Sequence, residues 1–236
     1  MKKTDIHLHL TFEQHPKTEH MFVSSAEHML PHLRELSIEK GILMSSGEGN
    51  SAVPFGSNDE CRQIAEAFPG IYFWMCNLDD VPENIFERLE TYKNQGAVGI
   101  GELMINRSID DPMIQEIFAA AETLSLPVLF HMSPEVGYEY GIVDDAGLPL
   151  LEESLKKYPN LKFIGHSQPF WHEISGDASG DLSSRMEWGK GEVAPGGRLS
   201  YLFDTYPNLY GDLSANSGGC ATRPSVFLSL RNTVTA

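Results

Sequence analysis

Residues 97–133 read AVGIGELMINRSIDDPMIQEIFAAAETLSLPVLFHMS, and this stretch alternates between two apolar patterns. Val98–Ile105 and Pro127–Ser133 are continuous apolar runs, which are typical of parallel strands buried on both faces. Between them, Asp111-Pro112 predicts the start of a helix. The apolar positions that follow recur at helical spacing, at Ile114, Ile117, Phe118, Ala121 and Leu124. The stretch therefore predicts one strand–helix–strand unit of a parallel α/β fold.

The same alternation extends over the rest of the chain. The further strand candidates are Asp5–Leu10, Gly41–Ser46, Ile71–Leu78, Leu161–His166 and Leu209–Ser214. Another helix is predicted to open at Asp80-Val81-Pro82-Glu83, which resembles a capping box with an early proline. Seven strands predict a TIM-like (β/α)8 barrel of about seven βα units, incomplete at the C-terminus, in a single domain 1–236. The polar, glycine-rich segment 168–198 is predicted to be a loop insertion after the sixth strand.

Composition and charge exclude several classes of function. The chain has 33 acidic residues against 17 lysines and arginines, which gives a net charge of −16, so no nucleic-acid partner is expected. The expected partner is a small-molecule substrate. No apolar run approaches the roughly 20 residues of a membrane span, so no membrane partner is expected. The amino terminus lacks the apolar core of a secretory signal, which predicts a cytoplasmic location. Cys61, Cys76 and Cys220 are too widely spaced to predict a disulfide framework or a thiolate zinc site.

Two histidines, His7 and His9, stand two residues apart in the first predicted strand. Alternate residues of a strand point to the same face, so both imidazoles are expected to face the barrel interior. Two buried imidazoles need polar partners, and a divalent metal is one way to supply them. A pair of hydrogen-bonded core histidines is the alternative at this point.

Four later strands each end in a side chain that can bind a metal. These side chains are Glu102, His131, His166 and Asp212. The carboxyl ends of barrel strands form one rim, so these residues are expected to converge there with the histidine pair and to hold Zn, or Mn, as one or two ions. Each also has a structural alternative, because Glu102 could cap a turn, His131 could donate to a carbonyl, and Asp212 could be a turn acid.

Taken in order, four motifs resemble the amidohydrolase superfamily of metal-dependent barrels, most closely its amidohydrolase-related (amidohydrolase 2) branch, over residues 4–219. The motifs are D-I-H-L-H at 5–9, P-V-L-F-H at 127–131, F-I-G-H at 163–166 and N-L-Y-G-D-L-S-A at 208–215. The resemblance implies that His7, His9 and His131 bind metal and that His166 binds a second metal or polarises the substrate. It also implies that Glu102 occupies the position of a bridging acid, as in the TatD-type branch.

The chain departs from this family after Gly219. Similar members continue into an eighth strand, whose terminal aspartate binds metal and transfers protons, and residues 220–236 do not look like that continuation. A truncated or frame-shifted sequence is one explanation. Without the usual aspartate, His166 is the best remaining candidate for the catalytic base. The strand pattern nominates Asp212 as a metal ligand, whereas the resemblance makes it a residue behind the ligands or a structural one. It is kept as a catalytic candidate together with His166.

Four functions remain open from the sequence. The first is a metal-dependent hydrolase, in which activated water attacks a small C–N or C–O bonded substrate such as an amide, ester or lactone. The resemblance also allows a metal-dependent decarboxylase and a TatD-type phosphodiesterase, the latter favoured by Glu102 and disfavoured by the charge. The fourth is a catalytically impaired barrel fragment. Its exposed first and seventh strands would let copies pair, so a homo-oligomer is one expected state.

Overall fold

The computed structural model describes residues 2–16, 23–49, 55–189, 191–193 and 197–215. The chain forms two compact units, residues 1–102 and residues 103–236, called here the first unit and the second unit. Both are built from parallel strands that alternate with helices. None of the helices among the described residues is long and apolar enough to cross a membrane.

The first unit contains a parallel sheet with helices between its strands. Its strands are β1 (Lys3–Leu8), β2 (Leu10–Thr11), β3 (Ser24–Ser25), β4 (Ile38–Met44), β5 (Tyr72–Met75) and β6 (Ile100–Leu103), the last ending at the unit boundary. Its helices are α1 (Ala26–Glu35), α2 (Asn58–Ala67) and α3 (Ile85–Asn94). The sheet order is β1–β4–β5, and β6 follows beside β5 through a bridge between Cys76 and Ile100. β2 and β3 form a separate short ladder.

Local hydrogen bonds explain where the first two helices begin. The side chains of Ser25 and Ser57 accept from main-chain N–H groups three residues later, which caps α1 and α2. Tyr72 on β5 donates from its hydroxyl to Ala26 O at 2.8 Å and so attaches the start of α1 to the sheet. Leu43 and Ile64 are fully buried in the core between the strands and helices. Each such side chain contributes about 1.5–3 kcal/mol through burial.

The second unit repeats this design. Its strands are β7 (Val128–Ser133), β8 (Ile142–Val143), β9 (Phe163–His166) and β10 (Leu209–Gly211), and its helices are α4 (Pro112–Leu124), α5 (Pro149–Lys157), α6 (Gln168–His172), α7 (Leu182–Arg185) and α8 (Arg198–Thr205). The strand order is β10–β9–β7, with the short β8 paired to β7, and all pairs are parallel. Asp111 caps α4 by accepting from Met113 N–H at 2.8 Å, and Pro112 occupies its first turn, which confirms the predicted helix start.

Each of the seven predicted strands overlaps a strand of the structure. Five observed strands lie within their predicted ranges and are shorter, whereas β1 and β4 begin earlier than predicted, at Lys3 and Ile38. The first strand ends at Leu8, so His7 lies within β1 and His9 lies immediately after it. The segment 168–198, predicted as a loop, contains the short helices α6 and α7 and a bridge between Ser175 and Val193. α6 forms there because Phe170 and Trp171 are fully buried in the core of the second unit.

Candidate metal centre

Three predicted ligands come together in the first unit. His7 Nε2 lies 3.0 Å from His9 Nε2, and each of these nitrogens lies 3.5 Å from Glu102 Oε2. β1 brings the two imidazoles together because they are two residues apart, and β6 supplies the carboxylate. Two imidazole nitrogens at this distance either share one proton or face one cation.

The spacing of these three atoms fits a first-row divalent ion. Atoms separated by 3.0, 3.5 and 3.5 Å lie on a circle with a radius of about 2 Å, close to the roughly 2.0–2.2 Å of Zn–N and Zn–O bonds. Two imidazoles and one carboxylate suit Zn and Mn, and no thiolate is involved. His7, His9 and Glu102 are therefore a chemically and geometrically suitable ligand set.

Burial leaves this ligand set open on one side. The side chains of His7 and Glu102 are 5% and 6% exposed, whereas that of His9 is 46% exposed. A structural metal site is closed by protein ligands, while a catalytic one keeps a position for water or substrate. The partial exposure at His9 therefore makes the ligand set accessible to solvent on that side.

A second group of predicted residues lies at the strand ends of the second unit. His131 on β7 and His166 on β9 are partners in the parallel register, and their ring centroids are 5.5 Å apart at an interplanar angle of 62°. Both follow continuous apolar runs, which is why the sequence could place them at the ends of neighbouring strands. Two imidazoles are thus presented side by side at the end of the sheet.

His166 is oriented by an acid and a hydroxyl. Its Nδ1 lies 3.1 Å from Asp212 Oδ2 and 3.2 Å from Ser214 Oγ. The Ser214 hydroxyl donates to Asp212 Oδ2 at 2.7 Å, so Nδ1 is the atom that carries the ring proton towards these two oxygens. In this tautomer of the neutral ring, Nε2 of His166 is an acceptor. Asp212 thereby acts on the site through His166.

Two glycines next to this group allow a helix to pack closely beneath it. A Cβ atom at Gly165 would lie 2.3 Å from two ring carbons of Phe170, and one at Gly211 would lie 2.6 Å from Trp171 Cζ2. The indole Nε1 of Trp171 also donates to Asp212 O at 2.8 Å. The aromatic pair of α6, Phe170 and Trp171, therefore supports the strand ends that carry His166 and Asp212.

A small cavity of about 100 Å³ lies beside His131 in the second unit. The ring of Tyr140 lies over the His131 ring at a centroid distance of 4.4 Å. The cavity is lined mainly by apolar and aromatic side chains, among them Met132, Pro134, Tyr138, Tyr140 and Met186. The cavity therefore lies next to a predicted metal ligand.

The predicted site residues thus fall into two sets. His7, His9 and Glu102 meet in the first unit, and His131, His166 and Asp212 meet in the second. The expectation that all six converge at one rim stays a prediction.

Sequence reasoning missed Ser214, Asn77 and His172. Ser214 orients His166, as described above, and Asn77 donates to the main chain of Glu102. His172 is buried and bonded through its ring to Glu187 O and Ser179 N–H, so it holds the segment after α6. A strand-end position was the available signal for Asn77. Ser214 lies within the motif at 208–215, which is its signal, whereas for His172 the sequence offers none.

Comparisons with known proteins agree with the fold and with the motifs. The family model described as amidohydrolase matches residues 5–234. That range includes much of the C-terminal segment that the motif resemblance left out, and residues 216–236 lie outside the described part of the chain. No curated protein matches the chain significantly.

Several solved structures resemble the chain at low sequence identity. A probable 2-pyrone-4,6-dicarboxylic acid hydrolase from Acinetobacter baumannii, with citric acid bound, is 14% identical with a TM-score of 0.58. The alignment covers 98% of this chain and 79% of the hydrolase chain. A 5-carboxyvanillate decarboxylase from Novosphingobium aromaticivorans, with manganese bound, is 14% identical with a TM-score of 0.58. The alignment covers 98% of this chain and 83% of the decarboxylase chain. An uncharacterized TIM-barrel protein from Bordetella bronchiseptica is 15% identical with a TM-score of 0.54, and the alignment covers 89% of this chain and 74% of the Bordetella chain. These likenesses confirm the predicted fold class, an α/β fold of the TIM-barrel type.

Proposed function

The chain belongs to the amidohydrolase family, and on that basis we propose that it is a metal-dependent hydrolase acting on a small C–N or C–O bonded substrate. The observation that carries the proposal is the ligand set of His7, His9 and Glu102, with 3.0 and 3.5 Å between its donor atoms. Zn is the proposed ion and Mn the alternative, as one or two ions. His131 and His166 of the second unit are the other proposed metal-binding residues.

The chemistry follows from the residues that surround such an ion. When bound, a divalent ion supplies a Lewis acid that lowers the pKa of a water ligand to about 7 and polarises a carbonyl group. His166 presents Nε2 as a proton acceptor because Asp212 and Ser214 hold its proton on Nδ1. The cavity beside His131 would hold part of the substrate, with Tyr140 against one of its walls.

Decarboxylation is a second candidate within the same family. The likeness to the decarboxylase from Novosphingobium aromaticivorans has the same TM-score, 0.58, as that to the pyrone dicarboxylate hydrolase, so the fold serves both reactions. The same histidines would hold the ion in either case. Release of CO2 from carboxylated substrates, measured beside ester, lactone and amide cleavage, distinguishes the two candidates.

The proposed partners follow from the charge. A net charge of −16 favours a small-molecule substrate over nucleic acid, which disfavours the TatD-type phosphodiesterase. Salt-dependent DNA binding would contradict this part of the proposal. A cytoplasmic location and a homo-oligomer belong to the same proposal, and cell fractionation and light scattering test them.

Metal content is the first test of the proposed function. Protein purified without chelator is expected to carry about one or two equivalents of Zn or Mn by plasma mass spectrometry. The double variant His7→Ala/His131→Ala should lose this metal, whereas His32→Ala, an exposed position on α1, should keep it. Folded wild-type protein without metal would overturn the proposal and favour an impaired fragment. If metal is bound, chelation should abolish activity in a substrate screen.

A further inference from the structure

The main chain around Glu102 is held by three hydrogen bonds within the first unit. Gly101 N–H donates to Cys76 O at 2.8 Å, and Gly101 O accepts from Ser45 N–H at 3.0 Å. Glu102 O accepts from the side-chain Nδ2 of Asn77 at 2.7 Å. Of these three bonds, the one made directly to Glu102 comes from a side chain, so it depends on the identity of a single residue.

The side-chain amide of Asn77 has one orientation that satisfies its surroundings. Asn77 is 1% exposed. Its Nδ2 also faces Ser45 O at 3.4 Å, while its Oδ1 accepts from Leu78 N–H at 2.9 Å. A flipped amide would place an oxygen against two carbonyl oxygens and a nitrogen against an N–H group. Asn77 is thus a donor to Glu102 by necessity.

Asn58 in turn holds the main chain of Asn77. Asn77 N–H donates to Asn58 Oδ1 at 2.9 Å, and Asn58 Nδ2 donates to Asn77 O at 2.8 Å. Asn58 is the first residue of α2 and is 3% exposed. The two asparagines form a buried bridge from α2, past the end of β5, to Glu102 on β6. A buried polar network that is fully bonded fixes one arrangement of its members.

Resting on the proposed function, we propose that Asn77 is a positioning residue that keeps the Glu102 carboxylate in place against His7 and His9. Glu102 Oε2 lies at the same distance, 3.5 Å, from both imidazole nitrogens, and a shift of the main chain at residue 102 would change both distances. Metal ligands must be held to within roughly 0.5 Å of their working geometry. Residues that orient metal ligands from outside change metal affinity by about 10–100-fold when they are altered.

The test compares two buried asparagines that make similar contacts. In Asn77→Asp a carboxylate replaces the donor and faces two carbonyl oxygens. Asn208 is 8% exposed and donates from Nδ2 to Leu155 O at 3.2 Å and to Tyr158 O at 3.0 Å, at the start of β10. Asn208→Asp therefore removes the same pair of donor contacts without touching the residues around Glu102.

Two readouts are measured on each protein. The first is the side-chain 15N chemical shifts of His7 and His9 in metal-free protein, which report the position of Glu102 without any metal. The second is the Kd for Zn, measured by competition with a chelator. We expect Asn77→Asp to change the shifts and to weaken Zn binding by about tenfold or more. Asn208→Asp should leave both readouts close to wild type.

The inference is overturned if Asn77→Asp leaves the histidine shifts unchanged, or if both variants change Zn affinity equally. If wild-type protein binds no Zn, the proposed function fails, and the metal-free shifts alone decide the role of Asn77. Should Asn77→Asp not fold, Asn77→Ser is compared with Asn208→Ser by the same two measurements, because serine is too short to keep the bond to Glu102 O.

Discussion

Replacing Asp212 by asparagine is expected to reverse the tautomer of His166. Asp212 Oδ1 accepts from Ser214 N–H at 2.9 Å, so the oxygen of the new amide stays on that side and its NH2 group replaces Oδ2. That group would lie at the present Oδ2 position, 3.1 Å from His166 Nδ1, where it can donate and cannot accept. The ring proton then moves to Nε2, the atom that the proposed chemistry needs unprotonated.

The size of the effect follows from the two hydrogen bonds exchanged. A hydrogen bond to a charged group contributes about 1.5–3 kcal/mol, so wild-type protein should favour the Nδ1–H tautomer by about 10–100-fold. The neutral bond in Asp212→Asn contributes about 0.5–1.5 kcal/mol and should favour Nε2–H by about 2–10-fold. Long-range 1H–15N correlation spectra of metal-free protein measure the tautomer directly.

Asp204→Asn is the matched control, because Asp204 is an exposed acid on α8 and its replacement makes the same change in charge. Its spectrum should show the wild-type tautomer at His166. If Nδ1 keeps its proton in Asp212→Asn, then Ser214 does not fix the amide and the reasoning is refuted.

Three further predictions concern the stability of the second unit. The Ser167 hydroxyl accepts from Met132 N–H and donates to Met132 O, both at 2.9 Å, and Ser167 has φ 86°, a conformation favourable for glycine. Ser167→Ala should therefore lower the free energy of unfolding by about 1–3 kcal/mol, because both hydrogen bonds are lost. Ser167→Gly should lower it by less, because glycine adopts the positive φ without strain. Burial raises the pKa of the Asp144 carboxyl to about 6, although hydrogen bonds from main-chain N–H groups oppose this shift. Because the folded protein binds this proton more tightly than the unfolded chain does, the stabilisation from protonated Asp144 is present below about pH 4 and is lost as the pH rises through 6. The free energy of unfolding of Asp144→Asn, measured by urea unfolding, should therefore rise relative to that of wild type by about 2–3 kcal/mol between pH 4 and 7.5. Gly165→Ala should cost about 1–3 kcal/mol or more, because its Cβ would overlap the buried Phe170 ring.

Each of these predictions has an internal control. A variant Ser167→Gly that is less stable than Ser167→Ala would contradict the conformational argument. A stability difference between Asp144→Asn and wild type that does not grow with pH would contradict the raised pKa. Gly180→Ala is the control for Gly165→Ala, because its Cβ would make an ordinary 3.5 Å contact with Ala146 and its stability should be close to that of wild type. If Gly165→Ala were as stable as Gly180→Ala, the packing argument would be refuted.

The sequence predicted the parts of the fold that depend on apolar pattern. The strands were visible as continuous apolar runs, and α4 began where Asp111 and Pro112 indicated. The predicted start of α3 was wrong, because the helix begins at Ile85 and not at the predicted opening, Asp80–Glu83. Arg88 explains the difference, because its guanidinium donates to Val81 O and Glu83 O and holds those residues outside the helix.

The candidate site divides in the same way. Side chains such as Glu102 and His131 were found because metal-binding residue types follow apolar strands. Asn77 lies two residues after the end of β5, but an amide is not a typical ligand of Zn, and the role of Asn77 depends on a contact with a residue 25 positions away. The positive φ of Ser167 has no sequence signal, since glycine would be the expected residue there. Hydrogen-bond partners distant in sequence are what pattern alone could not supply.

The close packing of α6 on the strands ties distant positions of the sequence together. The rings of Phe170 and Trp171 occupy the space that side chains at 165 and 211 would need. A relative with alanine or serine at either glycine should therefore carry a smaller residue at the matching aromatic position. These two glycine–aromatic pairs are expected to covary among homologues, and their joint presence would identify distant relatives that keep the same support beneath the histidine and the acid.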